Sequence, residues 1–396
     1  MMSSPVALLA WELGAGLGHA RRLLVAAKAL QQRGFRPIVA ARELWAATDE
    51  FHAAGIPLIQ APHHQGQAPK VRPFRARGFA DMVAICGFAR AEALWPAVHG
   101  WDGLFDLVRP DVVVADYSPV LSLAAYGRVP LVAIGDGFVL PPPHLPTFPL
   151  LREGSDMPGE AELLANAAKV QDRRGLPAPA TLPGLIGGDA HVVCTLPETD
   201  IYADRRERPA SGPLTATHEP LGPATQQGLF AYLAADHGLT PKLLQVLCDM
   251  RVPAEIFVRD APDSLKASLR NAHVTVHDTP PPLPEALARA ALVIHHGGIG
   301  TSESCLALGR PQVVLPRHFE QTLNARRLRQ LGAAVALPSE FKLAEAQDLI
   351  AAALASESMK KLAEARAHQI ADRHYDSVGE IAGHCEALAG RGVMQV

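Results

Sequence analysis

The sequence has few cysteines, no surplus of either charge and no long apolar run, and each lack closes off a class of protein. Its five cysteines (Cys86, Cys194, Cys248, Cys305, Cys385) lie far apart, and no two form a Cys-x-x-Cys pair. An odd, scattered set of this kind predicts reduced thiols filling core space in an intracellular protein rather than a disulfide framework. Lys and Arg number 37 against 40 Asp and Glu, for a formal charge of −3. A general nucleic-acid binder would carry a marked basic excess, so no nucleic-acid partner is expected. Nothing approaches the run of about 20 apolar residues that a membrane-spanning helix needs. The opening "MMSSPVALLAWELGAG" has no basic n-region and too short an apolar stretch for a signal peptide. A cytoplasmic location is the expectation. The histidine pairs at 63–64 and 295–296 lack the partner spacing of a zinc site, and no Gly-x-Ser-x-Gly elbow supports serine hydrolase chemistry.

What is present is a globular chain of 396 residues, 48% hydrophobic and 19% charged, long enough for two cores. Strand and helix patterns alternate. "VALLAWEL" (6–13) feeds a glycine-rich turn, and "ARRLLVAAKALQQRG" (20–34) has helical spacing closed by Gly34. "RPIVAA" (36–41), "PDVVVADYSP" (110–119), "VPLVAIG" (129–135) and "AHVVCTL" (190–196) read as further buried strands. A Pro, Gly and polar-rich stretch, taken as 211–228, reads as a linker. The pattern then restarts at 229–235, with a helix at 240–250, strands at 254–259, 272–278, 291–296 and 311–316, and a helical tail from about 341 to 390. Such βαβ alternation implies parallel sheets covered on both faces, with ligands at the carboxyl ends of the strands. The expected division is 1–210, linker 211–228, 229–375 and a tail at 376–396.

Two loops carry the chemistry. "HHGGIGTSESCLALG" follows the apolar run "ALVI", so its glycines let a ligand approach the backbone where the next helix begins. A helix N-terminus offers unpaired N–H groups and the positive end of the dipole, a natural phosphate site. His296 could add an N–H donor. The same residues also read as a tight turn with Thr301 as helix cap. It is neither a P-loop nor a dinucleotide fingerprint, since neither Gly-Lys-Ser/Thr nor Gly-x-Gly-x-x-Gly is present there. The second loop, "GAGLGHARR" at 14–22, places His19 at a loop-to-helix junction.

From 296 onward the chain resembles the donor-binding half of GT-B glycosyltransferases of the UDP-glycosyltransferase, family 1-like type. The shared elements are His-x-Gly-Gly-x-Gly-Thr/Ser, then Gly-x-Pro, a strand ending in Pro, an acidic residue followed by Gln, and Asn-Ala. Here they stand at 296–301, 309–311, 315–316, 320–321 and 324–325. The loop at 14–22 resembles the second hallmark of the same superfamily. The resemblance implies a GT-B fold: an α/β chain of two doubly wound, Rossmann-like domains facing an interdomain cleft, with acceptor bound by the first and donor by the second. It also implies a tail that crosses back to pack on the N-terminal domain.

The site residues follow from that resemblance. His296, Gly297, Gly298, Gly300 and Thr301 would hold the diphosphate of a nucleotide sugar of UDP or dTDP type, and Glu320 and Gln321 the sugar hydroxyls. Gly14, Gly16 and Gly18 would form the acceptor and phosphate loop. His19 would take the proton from the attacking hydroxyl, and Asp116 would orient it and stabilise the imidazolium. The bland readings are a helix-capping or buried His19, a strand-end or capping Asp116, and a solvated loop at 320–321. One departure stands out. Many relatives place a Glu three residues after the Thr/Ser, where this chain has Ser304, and Glu303 lies one residue, about 100° of helix, earlier. The stacking Trp of plant relatives is absent, and the base is expected near 278–283. With no Asp-x-Asp, a metal-bound diphosphate is not expected, and no resident cofactor is implied beyond the nucleotide sugar as co-substrate. The acceptor is unidentified. The basic, then amphipathic stretch 70–89 reads as an ordinary loop and packed helix or as a peripheral membrane contact. Alternative activities on the same fold are a nucleotide-sugar hydrolase, an epimerase, or a binding protein without turnover.

Overall fold

A computed structural model describes residues 4–14, 17–62, 76–153, 157–215, 219–222, 224 and 228–392. The chain divides into two compact units, Met1–Thr215 with Tyr375–Val396, and Ala216–His374. The crossings lie inside the stretch read as a linker and at the start of the stretch read as the tail.

The first unit is built on β1 (Val6–Trp11), β2 (Arg36–Ala41), β3 (Leu58–Gln60), β4 (Val112–Asp116), β5 (Leu131–Gly135) and β6 (Ala190–Val193). They form one parallel sheet in the order β3-β2-β1-β4-β5-β6. β1, β4 and β5 are buried along their whole length, as strands covered on both faces must be. The order reverses between β1 and β4, so their carboxyl ends flank the crevice of a doubly wound sheet. The register sets Trp11 directly beside Asp116 there. The helix Leu17–Gln32 ends as its glycine predicts: Gly34 takes φ +85°, and Phe35 N donates to Leu30 O at 3.0 Å.

The second unit repeats the plan with β7 (Gly228–Ala234), β8 (Ala254–Arg259), β9 (Val274–Val276), β10 (Ala290–His295), β11 (Gln312–Val314) and β12 (Ala334–Ala336). The order β12-β11-β10-β7-β8-β9 is the same topology, with its reversal between β7 and β10. His295, last in β10, pairs with Tyr232 on one side and Val314 on the other. The glycine loop therefore leaves the sheet at this unit's own switch point.

The helical tail is three helices, Leu343–Ala355, Glu357–Ala371 and Ser377–Gly392. Only the last belongs to the first unit. Its Ile381, Ala382, Cys385, Leu388 and Ala389 line one helical face and join the core formed by Leu23, Ala27 and Leu30. Ser377 Oγ donates to Gly212 O, pinning the start of that helix.

The amphipathic part of 70–89 is spent on the core. Phe79, Val83 and Phe88 are buried in the first unit, Met82 and Ile85 are half-buried, and 70–75 lie outside the described residues. Among the described residues no helix is long and apolar enough to cross a membrane.

Candidate functional sites of the two units

In the first unit the structure brings His19 and Asp116 together. His19 is the third residue of its helix, and its Nδ1 lies 3.0 Å from Asp116 Oδ2. An ionised carboxylate only accepts, so Nδ1 carries the proton and Nε2 keeps the lone pair a base needs. The imidazole is stacked on Trp11 (centroids 5.3 Å apart, planes 17° apart) and flanked by Tyr117 at 5.9 Å. Tyr117 holds φ +50°, which turns the chain sharply after β4. Glu12 secures that turn: its carboxylate accepts from Val120 N and Leu121 N, both at 2.9 Å, at the start of the helix Pro119–Ala125, and from the Trp101 indole. Burial pushes the Glu12 carboxyl up to about 8 in spite of those donors.

Asp116 is fully buried, which alone would raise its pKa, yet Arg22 and then His19 outweigh burial and hold it below the usual carboxylate range. Arg22 Nη1 donates to Asp116 Oδ1 at 2.7 Å, and its Nη2 to Asp136 Oδ2 at 3.2 Å. Asp136 also accepts from Phe138 N and Val139 N. Neither Arg22 nor Asp136 is among the residues expected from sequence. Both left a signal: Arg22 stands at i+3 from His19 on one helix face, and Asp136 follows β5 as Asp116 ends β4.

The glycines of this loop differ in what they do. Gly14 has φ +84°, and a Cβ on it would lie 2.4 Å from His19 Nε2. Gly18 faces open space, and Gly16 lies outside the described residues.

In the second unit the loop after β10 is braced from within. Gly297 N donates to His295 Nδ1 at 3.0 Å, so the other His295 nitrogen, Nε2, donates to Gln312 Oε1 at 2.9 Å. His296 Nδ1 donates to Leu315 O at 2.8 Å, and its Nε2 accepts from Ala234 N at 3.0 Å. Burial pushes both imidazoles down to about 4, so both are neutral at pH 7. This corrects the expectation of a His296 N–H directed at phosphate: both ring nitrogens are engaged by backbone, tying β7, β10 and the segment after β11 together. The donors left at this loop are main-chain. Gly298 is the N-cap of the helix Ile299–Ala307 and supplies no side-chain cap, and Thr301 sits inside the helix rather than capping it. Gly298 and Gly300 face open space, whereas Gly297, at φ +83°, would put a Cβ 2.7 Å from Val314 Cγ1. The result is a helix N-terminus with an uncluttered approach.

The motif residues after β11 support that loop. Asn324 Nδ2 donates to Gly297 O at 3.0 Å, and Gln321 Oε1 accepts from Arg317 N at 2.9 Å. Gln321 is buried while Glu320 is partly exposed. Glu303 is buried and Ser304 turns its hydroxyl back to Gly300 O. His237, just after β7, was not foreseen. Its ring meets His296 edge-on at 5.3 Å, and its buried Nδ1 has no partner among the described residues. Asp278 pairs with Arg270 at 2.9 Å. A cavity of about 420 Å³ lined by Gly228, Pro253, Glu255, Arg289 and their neighbours opens at the amino ends of the strands, away from this loop. Among the described residues no three His, Cys, Asp or Glu are grouped to hold a metal ion.

Comparison with solved structures decides the architecture. The chain superposes on the glycosyltransferase VinC in complex with dTDP with TM-score 0.68 at 16% identity, covering 98% of this chain and 100% of that one. The calicheamicin glycosyltransferase CalG4 gives 0.70 at 18%, covering 98% and 99%. The fold is GT-B. Residues 247–388 of this GT-B chain match the family model described as erythromycin biosynthesis protein CIII-like, C-terminal domain. Among curated proteins, the glycosyltransferase GtfC of Amycolatopsis orientalis is 42% identical over 72 residues, 18% of each chain. The NDP-glycosyltransferase YjiC of Bacillus subtilis is 41% identical over 69 residues, 17% of each. Those two matches therefore span under a fifth of the relatives' length. A PGL/p-HBAD biosynthesis glycosyltransferase of Mycobacterium tuberculosis is 26% identical over 365 residues, 81% of each. The resemblance to family 1-like glycosyltransferases, first visible in two loops, holds.

Proposed function

We propose that this chain is an inverting, metal-independent glycosyltransferase that moves a sugar from a UDP- or dTDP-sugar to an acceptor hydroxyl. The observation that carries the reading is the His19–Asp116 hydrogen bond at the switch point of the first sheet, in the tautomer that leaves Nε2 basic. His19 Nε2 takes the acceptor proton as the hydroxyl oxygen attacks the anomeric carbon. Asp116 holds the ring and stabilises the imidazolium. The bond from the anomeric carbon to the diphosphate breaks on the opposite face, which inverts the centre. The leaving diphosphate rests on the backbone of Gly298, Gly300 and Thr301 and the N-terminus of the helix Ile299–Ala307, whose fixed dipoles meet the developing charge, while Gly297, its N–H given to His295 and its carbonyl to Asn324, shapes the loop behind them. No metal is required in this scheme. Glu320 and Gln321 meet the sugar hydroxyls. Relatives solved with dTDP support the donor class, and one solved with spinosyn aglycone supports a separate acceptor. A cytoplasmic location fits the reduced thiols this reading assumes.

Calorimetric titration with UDP, dTDP and GDP tests the donor half. One nucleotide binds the wild type, and Gly297→Ala, whose Cβ would strike Val314, binds it at least tenfold more weakly. Absence of binding by all three to the wild type would sink the reading.

A further inference from the structure

We propose that Arg22 and Asp136 set the pH at which the His19–Asp116 pair loses its proton, Arg22 as a positioning residue that loads Asp116 with positive charge and Asp136 as its counterweight. This rests on the proposed transfer reaction, in which that pair is the base. The geometry is a buried relay of alternating charge: His19 Nδ1 to Asp116 at 3.0 Å, Asp116 to Arg22 at 2.7 Å, and Arg22 to Asp136 at 3.2 Å. The side chains of Asp116, Asp136 and Arg22 are 0%, 6% and 11% exposed, so solvent screens the relay little. A guanidinium forking between two carboxylates fixes each in direction as well as in charge.

The sign of the effect does not depend on which atom of the pair holds the proton. Adding a proton to neutral His19 with ionised Asp116 raises the charge of the pair by one. A fixed cation on Asp116 Oδ1 opposes that addition wherever the proton settles, and a fixed anion favours it. Arg22 therefore lowers the apparent pKa of the pair and extends the active base form to lower pH. Asp136 takes back part of that effect.

The other groups around the relay carry little opposing charge among the described residues. Cys194, behind Arg22, is pushed up to about 12 by burial and is a neutral thiol. Burial likewise raises the Tyr202 phenol beside Asp136, keeping it neutral. Arg206 and Asp200 beyond it are paired with each other. Trp11 and Tyr117 enclose His19 with rings, and Glu12 turns away to Trp101, Val120 and Leu121.

The test is the acid limb of kcat/KM against pH, read beside NMR titration of the His19 imidazole, for wild type, Arg22→Gln, Arg22→Lys and Asp136→Asn. Arg22→Gln moves the limb and the imidazole titration up by about one pH unit. Asp136→Asn moves both down, and Arg22→Lys, which keeps the charge, stays near wild type. A merely structural role would lower the rate at every pH without moving the limb. Unmoved limbs, or movement in one direction for both charge-removing variants, would overturn the proposal. If Arg22→Gln does not fold, the downward shift of Asp136→Asn decides alone. The NMR arm reads the relay even if the wild type transfers no sugar, so failure of the transfer reading is seen separately.

Discussion

Gly14 shows how narrowly the candidate base is placed. Its φ of +84° is open to glycine at little cost, and the missing Cβ leaves room for His19 Nε2. Gly14→Ala displaces the imidazole from Asp116, and a misplacement of about 1 Å lowers kcat/KM by roughly 10²-fold. Steady-state kinetics with nucleotide affinity measured alongside checks this: affinity for the nucleotide, held in the other unit, stays unchanged. His295 gives a second prediction at the same scale. Its folded pKa is depressed to about 4 from an ordinary 6.5, so the unfolded chain binds the proton more readily. Stability is then full above about pH 6.5 and is lost as pH falls towards 4, by about 3 kcal/mol for this residue. Urea unfolding across that range should show the loss, reduced in His295→Gln. Of these residues, His19 and Asp116 were marked out by the resemblance to GT-B glycosyltransferases, which implies a His where the first helix begins and an Asp at the end of "VVVAD". The role of His296 was not. Its partner Leu315 O is 19 residues away, and only the fold reveals that the ring is consumed in bracing.

At the scale of elements, the helix Ile299–Ala307 has a start that is held from behind and left bare in front, the feature on which the proposed phosphate site rests. Asn324 supplies part of the hold through Gly297 O. Asn324→Ala leaves that carbonyl unpaired, which costs about 1–3 kcal/mol. Thermal unfolding should fall accordingly, and nucleotide affinity should weaken as the loop loses its support; an unchanged affinity would separate the loop from the donor site. The longer strands and helices were readable in the sequence because apolar runs such as "VVVAD" and the periodicity of the helix Leu17–Gln32 declare themselves. Two of the four edge strands, β3 and β12, were not: "LIQ" and "AVA" carry too little pattern to distinguish from loop, whereas the equally short edge strand β9 lies in the alternating "AHVTVHD".

Across the molecule the same doubly wound topology occurs twice, and each unit places a glycine loop after a strand at its own reversal of order. The chain also returns at Tyr375 to complete the first unit with a helix from its far end. Ile381 and Leu388 are buried in that core, and removing them withdraws roughly 3–6 kcal/mol of apolar burial. A domain is stable by only about 5–15 kcal/mol. A chain ended after His374 should therefore show a first unit that melts at much lower temperature by calorimetry, and an unchanged scan would contradict the assignment of that helix. The most direct measurement of the central claim is the rate of nucleoside diphosphate release from UDP- and dTDP-sugars with a panel of acceptors, for wild type and His19→Ala. Acceptor-dependent release by the wild type, lowered at least 10²-fold in His19→Ala while the nucleotide still binds, is the expected result. Equal rates in the two proteins would show that His19 is not the base.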